Sequence, residues 1–248
     1  MNHVKDKLKS GETAIGTTVS IDSEVRFLAN SGFDFLLFDT QHAPVEIKEL
    51  RAALSAMRKR TAIPIVRVGD NRPDQICYAL DLGAKGIIVP MVNTQQEATD
   101  MVSFCKYPFD GIRSSAGVLG EWGEFDSYRE YMDAVNEQLL IIPMIETVEA
   151  MDNLEDIVGV AGVDVLLVGP SDLSINLGMP LDYTNPKYHQ ALDAIAAACK
   201  KAGVVPGMYF VPPGIETSEL LQKGFRFFTM PWAGWAKQGI ENGLASVR

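Results

Sequence analysis

Eight short apolar runs, several rich in β-branched residues, punctuate the chain at 14–19, 35–38, 65–68, 86–89, 139–145, 165–168, 205–209 and 225–229. Runs this apolar read as strands covered on both faces, which occur almost only in parallel sheets. Helical patterns separate most of them. The stretch ThrValGluAlaMetAspAsnLeuGluAspIleVal from Thr147 has apolar residues at helical spacing and acids in its first turn. Strand, helix and strand make a βαβ unit, and eight such units in 248 residues predict an α/β fold, a (β/α)8 TIM barrel forming one domain over 1–248. An open doubly wound sheet is the alternative. Against it, the first run ends in Thr17, Thr18, Val19 and Ser20, with no GxGxxG run there.

Charged groups collect at the predicted strand ends. Glu146 follows IleIleProMetIle, and Asp172 follows ValAspValLeuLeuValGlyProSer. In a βαβ unit both lie on one edge of the sheet, where two carboxylates would repel unless a hard dication joined them. Asp39 and His42 stand just past the second strand, and Arg67 lies within the apolar third. A buried guanidinium needs a partner, such as Asp39 or a substrate carboxylate. His42 shares this edge with the other ionisable groups and is the natural proton carrier, whereas His3 and His189 lie in polar contexts and read as structural. A purely structural ion-pair network of Glu146, Asp172, Arg67 and Asp39 is the bland alternative, and such networks rarely contribute much stability.

The stretch 107–138 is too long for a simple βα connection. It carries GlyIleArgSerSerAlaGly and then Trp122, Phe125, Tyr128 and Tyr131. Read as the connection after the fourth strand, it is expected over the active end as a lid, or with its aromatics against a neighbouring subunit.

Composition narrows the partners. With 22 basic and 32 acidic residues the net charge is −10, which disfavours nucleic acid and anionic membranes and leaves a small molecule. Cys77, Cys105 and Cys199 lack CxxC spacing and read as fillers in helices, which suits a reducing cytosol. The start MNHVKDKLKSGE has no apolar signal region, and no apolar run approaches the roughly 18 residues of a membrane span. A soluble cytoplasmic protein is expected.

PheAspThrGlnHisAlaPro, IleValArgVal, LeuAspLeuGlyAlaLysGlyIleIleValProMetVal, TyrProPheAspGlyIleArg, MetIleGluThr and GlyProSerAspLeuSer occur in the order of a known family. Over residues from about Ala14 to Gly207 the chain resembles the class II, metal-dependent pyruvate aldolases, including 2,4-dihydroxyhept-2-enedioate aldolase and 2-dehydro-3-deoxyglucarate aldolase. The resemblance implies that Glu146 and Asp172 ligate Mg2+, Mn2+ or Co2+. It places Arg67, Met144, Gly169, Pro170 and Ser171 against a 2-oxo acid, with Asp39 holding Arg67 and with His42, supported by Asp81, moving protons. It also implies a homo-oligomer, a hexamer whose last helix packs on a neighbouring barrel. The reaction implied is reversible cleavage of a 4-hydroxy-2-oxo acid to pyruvate and an aldehyde.

The chain departs from the family at Met144, usually glutamine, and Gln41, usually glutamate; Ser114 stands for a glycine, and the tail from Thr229 lacks a common aspartate. A citrate-lyase-like enzyme acting on an acyl-thioester and a catalytically silent 2-oxo-acid binder are the alternatives. A Schiff-base aldolase is disfavoured, because Lys85 and Lys223 precede their strands and read as surface charge. A serine hydrolase is unsupported, because neither Ser115 nor Ser171 sits in a GxSxG elbow.

Overall fold

The computed structural model describes residues 2–43 and 45–247. Its parallel strands close into one barrel in sequence order: β1 (Ala14–Val19), β2 (Phe35–Asp39), β3 (Ile63–Arg67), β4 (Gly86–Val89), β5 (Leu140–Ile145), β6 (Val165–Val168), β7 (Val205–Met208) and β8 (Phe227–Thr229). The helices are α1 (His3–Lys9), α2 (Val25–Leu28), α3 (Leu50–Ala56), α4 (Pro73–Asp81), α5 (Gln95–Cys105), α6 (Tyr128–Gln138), α7 (Val148–Asp152), α8 (Leu154–Val158), α9 (Pro170–Asn176), α10 (Pro186–Ala202), α11 (Thr217–Lys223) and α12 (Trp232–Ala245). The (β/α)8 architecture read from the sequence is the one observed.

Strand periodicity divides the core in two. Phe35, Leu37, Ile63, Ile65, Leu140, Ile142, Met144, Val165, Leu167 and Phe227 fill the barrel interior, while Leu36, Phe38, Val66, Ile141, Ile145, Leu166 and Val168 pack outward on the helices. Alternate side chains face the same way, so the interior set continues upward to Asp39, Arg67 and Glu146. One period therefore both builds the core and aims the polar groups at the carboxyl-end rim. The opposite end is closed by α1, whose Val4 and Leu8 join the interior cluster and whose Lys5 pairs with Asp164 at 2.9 Å.

The structure corrects the placement of 107–138. The capping box of Thr94 and Glu97 starts α5 immediately after β4, so the chain has already returned to the amino-end rim when the long stretch begins. There Arg113 bonds Asp81, Glu121 pairs with Arg58, and Trp122 lies 5.0 Å from Lys85 Nζ. Tyr131 is buried, with Tyr107, Phe125 and Tyr128 packed around it. The segment covers the end of the barrel opposite the carboxylates, and its aromatics mostly pack within their own chain. Lys85 is accordingly half-buried against an indole, not surface charge, and burial lowers its pKa. Lys223, the last residue of α11, is partly buried and paired with Asp193.

Cys105 and Cys199 are buried in α5 and α10, where desolvation pushes both thiols up to about 12 and leaves them inert. Among the described residues no helix is long and apolar enough to cross a membrane.

Candidate active site

Asp39 and Arg67 are direct register partners on neighbouring strands, which brings the carboxylate and guanidinium side by side. Arg67 Nε donates to Asp39 Oδ1 at 2.8 Å and Nη2 donates to Oδ2 at 2.6 Å, a bidentate fork. Arg67 is only 3 % exposed. Nη2 also donates to the Tyr209 hydroxyl at 2.9 Å, and the guanidinium carbon lies 4.3 Å from that ring's centroid. Nη1 is left facing the Met144 thioether at 3.9 Å, a weak acceptor. The fork thus holds Arg67 rigid while leaving one amino group of low commitment at the mouth.

Burial by itself would raise the Asp39 carboxyl. The hydrogen bonds and charge of Arg67, with backbone N–H groups of Gln41 and His42, outweigh burial and hold it below its ordinary value. Asp39 thereby also fixes the turn that carries His42, whose side chain is exposed.

Glu146, 2 % exposed, leaves the end of β5. Its Oε1 accepts from Met91 N at 2.9 Å, and Met91 holds an unusual positive φ of 53° to aim that N–H. The β5–β6 register sets Gly169 beside it, and Gly169 N donates to Ile145 O at 3.2 Å. Asp172 stands in the first turn of α9, and Asn176 Nδ2 donates to the carbonyls of both Glu146 and Asp172, at 3.1 and 3.0 Å. Burial raises the Glu146 pKa and the Asp172 charge raises it further, opposed by the Met91 N–H, Arg67 and His42. The Glu146, Asp172, Arg67 and His42 charges therefore share one neighbourhood.

The remaining expected residues divide. Pro170 is buried at the start of α9, and the Ser171 hydroxyl lies 3.3 Å from the Tyr183 hydroxyl on the same rim. Asp81 is not brought to His42: it is the last residue of α4, held by Arg113 at 2.8 Å and by Cys77. The support expected from Asp81 is absent within one chain, because the antiparallel course of α4 carries it toward the other rim. Tyr209, Met91 and Asn176 were not foreseen. Only Tyr209 had a readable signal, since it continues the interior set of Val205 and Gly207.

A divalent cation fits the donor set. Glu146 is a buried carboxylate beside a second carboxylate, and Arg67, the nearby cation, is committed to Asp39. Among the described residues no cluster of three or more His, Cys, Asp or Glu side chains is arranged for a metal. Two carboxylates with the remaining positions left to substrate oxygens and water is the usual holding of Mg2+ at substrate sites.

Known proteins resemble the chain over most of its length. The sequence model of the HpcH/HpaI aldolase/citrate lyase family matches residues 22–234. The chain is 34% identical to the 4-hydroxy-2-oxo-heptane-1,7-dioate aldolase of Salmonella typhimurium over 264 residues, covering 99% of this chain and 98% of the relative. Identity to the Escherichia coli protein of the same name is 34% over 209 residues, 84% of this chain and 80% of the relative. An HpcH/HpaI aldolase/citrate lyase family protein from Burkholderia cenocepacia superposes with a TM-score of 0.87 at 30% identity, over 100% of both chains. The citrate synthase SbnG superposes with a TM-score of 0.82 at 26% identity, covering 98% and 96%. The chain belongs to the HpcH/HpaI aldolase/citrate lyase family.

Proposed function

We propose that the protein is a metal-dependent carbon–carbon lyase that reversibly cleaves a 4-hydroxy-2-oxo acid to pyruvate, or a related 2-oxo acid, and an aldehyde. The observation that carries the reading is the buried Glu146 carboxylate beside Asp172, in the field of a rigid, buried Arg67. The named activity of the 34%-identical relatives supports it.

Glu146 and Asp172 would hold Mg2+, Mn2+ or Co2+, which when bound supplies Lewis acidity toward the oxyanion of the 2-oxo acid. Arg67 adds a fixed positive charge and the donor Nη1 to the same oxygen, and costs no reorganisation because Asp39 and Tyr209 already hold it. Met144 presents a thioether to that guanidinium, so it shapes the site without donating a hydrogen bond. Gly169, Pro170 and Ser171 line the approach beside Asp172.

In the cleavage direction His42 takes the proton from the C4 hydroxyl. The C3–C4 pair stays on C3 as the pyruvate enolate, C4 leaves as the aldehyde carbonyl, and protonation of C3 completes pyruvate. Addition runs the same steps backward. No other reactant is needed.

The acyl-thioester reading is less well supported. The large cavity at this rim offers no cation for the phosphates of a coenzyme tail. A homo-oligomer, a hexamer by resemblance, is part of the proposal. In support, α12 buries no residue within this chain and exposes Trp235, Ile240 and Leu244. A cytoplasmic setting suits the free, unpaired cysteines.

The test is exchange of pyruvate methyl protons into deuterated water. The expected result is exchange with metal present and none in Glu146→Gln. A protein that binds metal and pyruvate yet shows no exchange would be a silent binder.

A further inference from the structure

Among the described residues, two cavities of different character flank the carboxyl-end rim. One, of about 160 Å3, lies beside Gln41, Asp70 and Glu97. The other, of about 720 Å3, opens over β1, β7 and β8 and is walled by Thr17, Tyr209, Phe210, Val211, Met230 and Trp232. Only the second falls in the range that accommodates a small organic ligand. Its wall is shared with the reacting centre, since the Tyr209 hydroxyl accepts from Arg67 Nη2 at 2.9 Å.

No Lys, Arg, His, Asp or Glu is among the described residues lining this cavity. An anionic group placed there would lose its hydration without meeting a counter-charge, in a protein whose net charge is already −10. The relatives' named substrate, a heptane-1,7-dioate, carries a second carboxylate at its far end. The walls here, threonine hydroxyls included, offer it no counter-charge.

We infer that the aldehyde half of the substrate lies in the Tyr209–Trp232 cavity and is an uncharged, apolar aldehyde. This rests on the aldolase reading above and deepens it. The 2-oxo-acid end stays at Glu146, Asp172 and Arg67, and the chain beyond C4 passes over the Tyr209 ring onto Phe210, Val211, Met230 and Trp232. Specificity then comes from apolar contact with the uncharged aldehyde and from the unmet cost of desolvating a terminal carboxylate.

Two aldehydes of the same length and branching separate the possibilities: 4-methylpentanal, ending in an isopropyl group, and 4-oxobutanoate, ending in a carboxylate. Full-length enzyme with Mn2+ and pyruvate is assayed for aldol addition to each, with pyruvate methyl-proton exchange measured in the same preparation. The expected result is exchange together with a kcat/KM at least about tenfold higher for 4-methylpentanal. Exchange with equal or better use of 4-oxobutanoate overturns the inference while leaving the aldolase reading intact. Absence of exchange overturns both. Val211→Arg, which places a cation in the wall, is expected to shift the ratio toward 4-oxobutanoate, and an unshifted ratio in the folded variant would place the aldehyde elsewhere.

Discussion

Gly169 lies directly against the Glu146 carboxylate: a Cβ at position 169 would stand 2.3 Å from Oε2 and 2.8 Å from Cδ. Its φ of −91° is open to any residue, so the requirement is for space and not for backbone freedom. Adjacent strands in register deliver this contact, and Met91 N and Asn176 hold the same residue from two other sides. The aim of one carboxylate is thus set by Met91 and Gly169, with Asn176 holding its main-chain carbonyl, and none of the three reacts.

Gly169→Ala should therefore turn the Glu146 carboxylate while leaving the barrel closed. Loss of such a supporting contact typically weakens a metal site about 10–100-fold. Calorimetric titration with Mn2+ alone would read this, and unchanged affinity would show that the carboxylate is not held where the contact places it.

The Asp39–Arg67 fork should be more important for the placement of charge than for its presence. Arg67→Lys keeps a cation but loses the planar fork, and cleavage should fall by roughly 100-fold or more. Asp39→Ala leaves a buried guanidinium without its main partner and should cost about 3–5 kcal/mol in urea unfolding. A smaller loss in the Asp39→Ala/Arg67→Met double variant than in Asp39→Ala alone would confirm that the cost is an uncompensated charge.

Acid should weaken this pair. The Asp39 carboxyl is held below its unfolded value of about 3.9, so its stabilisation is fully present above that pH and is lost as pH falls through the lower folded value. Wild type should exceed Asp39→Asn in stability at pH 7, and the gap should narrow below about pH 4. Unfolding curves at both pH values decide it, and a constant gap would mean that Asp39 is not charged in the fold.

Trp122 tests which rim carries 107–138. It is 5 % exposed and packs beside Lys85 at the amino end of the barrel. Trp122→Ala should cost about 3–5 kcal/mol of stability and leave kcat/KM of the folded enzyme within roughly twofold, since the site is at the other rim. A large change in kcat/KM with stability intact would restore the lid.

The barrel was readable because its strands are apolar on both faces, so each run stands out whichever side it packs on. Glu146, Asp172, Asp39 and Arg67 were readable for a related reason: a charge at the end of such a run has few places to go but the rim. The Arg67–Tyr209 bond was hidden because β3 and β7 meet only across the barrel mouth, although Tyr209 follows Val205 and Gly207 at the interior period. Met91 acts through a backbone N–H and Asn176 through a side-chain amide on a main-chain carbonyl, which composition does not mark. The misplacement of 107–138 had a signal against it. ThrGlnGlnGlu at 94–97 is a capping box, which starts a helix and returns the chain to the amino rim before the aromatics begin. Asp81 was carried by a motif match, and the single chain gives it to Arg113.

Release of pyruvate from 4-hydroxy-2-oxopentanoate, before and after chelation and again with Mn2+ restored, tests the central claim most directly. Release that stops with chelator, returns with Mn2+ and stays absent in Glu146→Gln is the predicted result. Release at the wild-type rate in Glu146→Gln, or release indifferent to chelation, would contradict it.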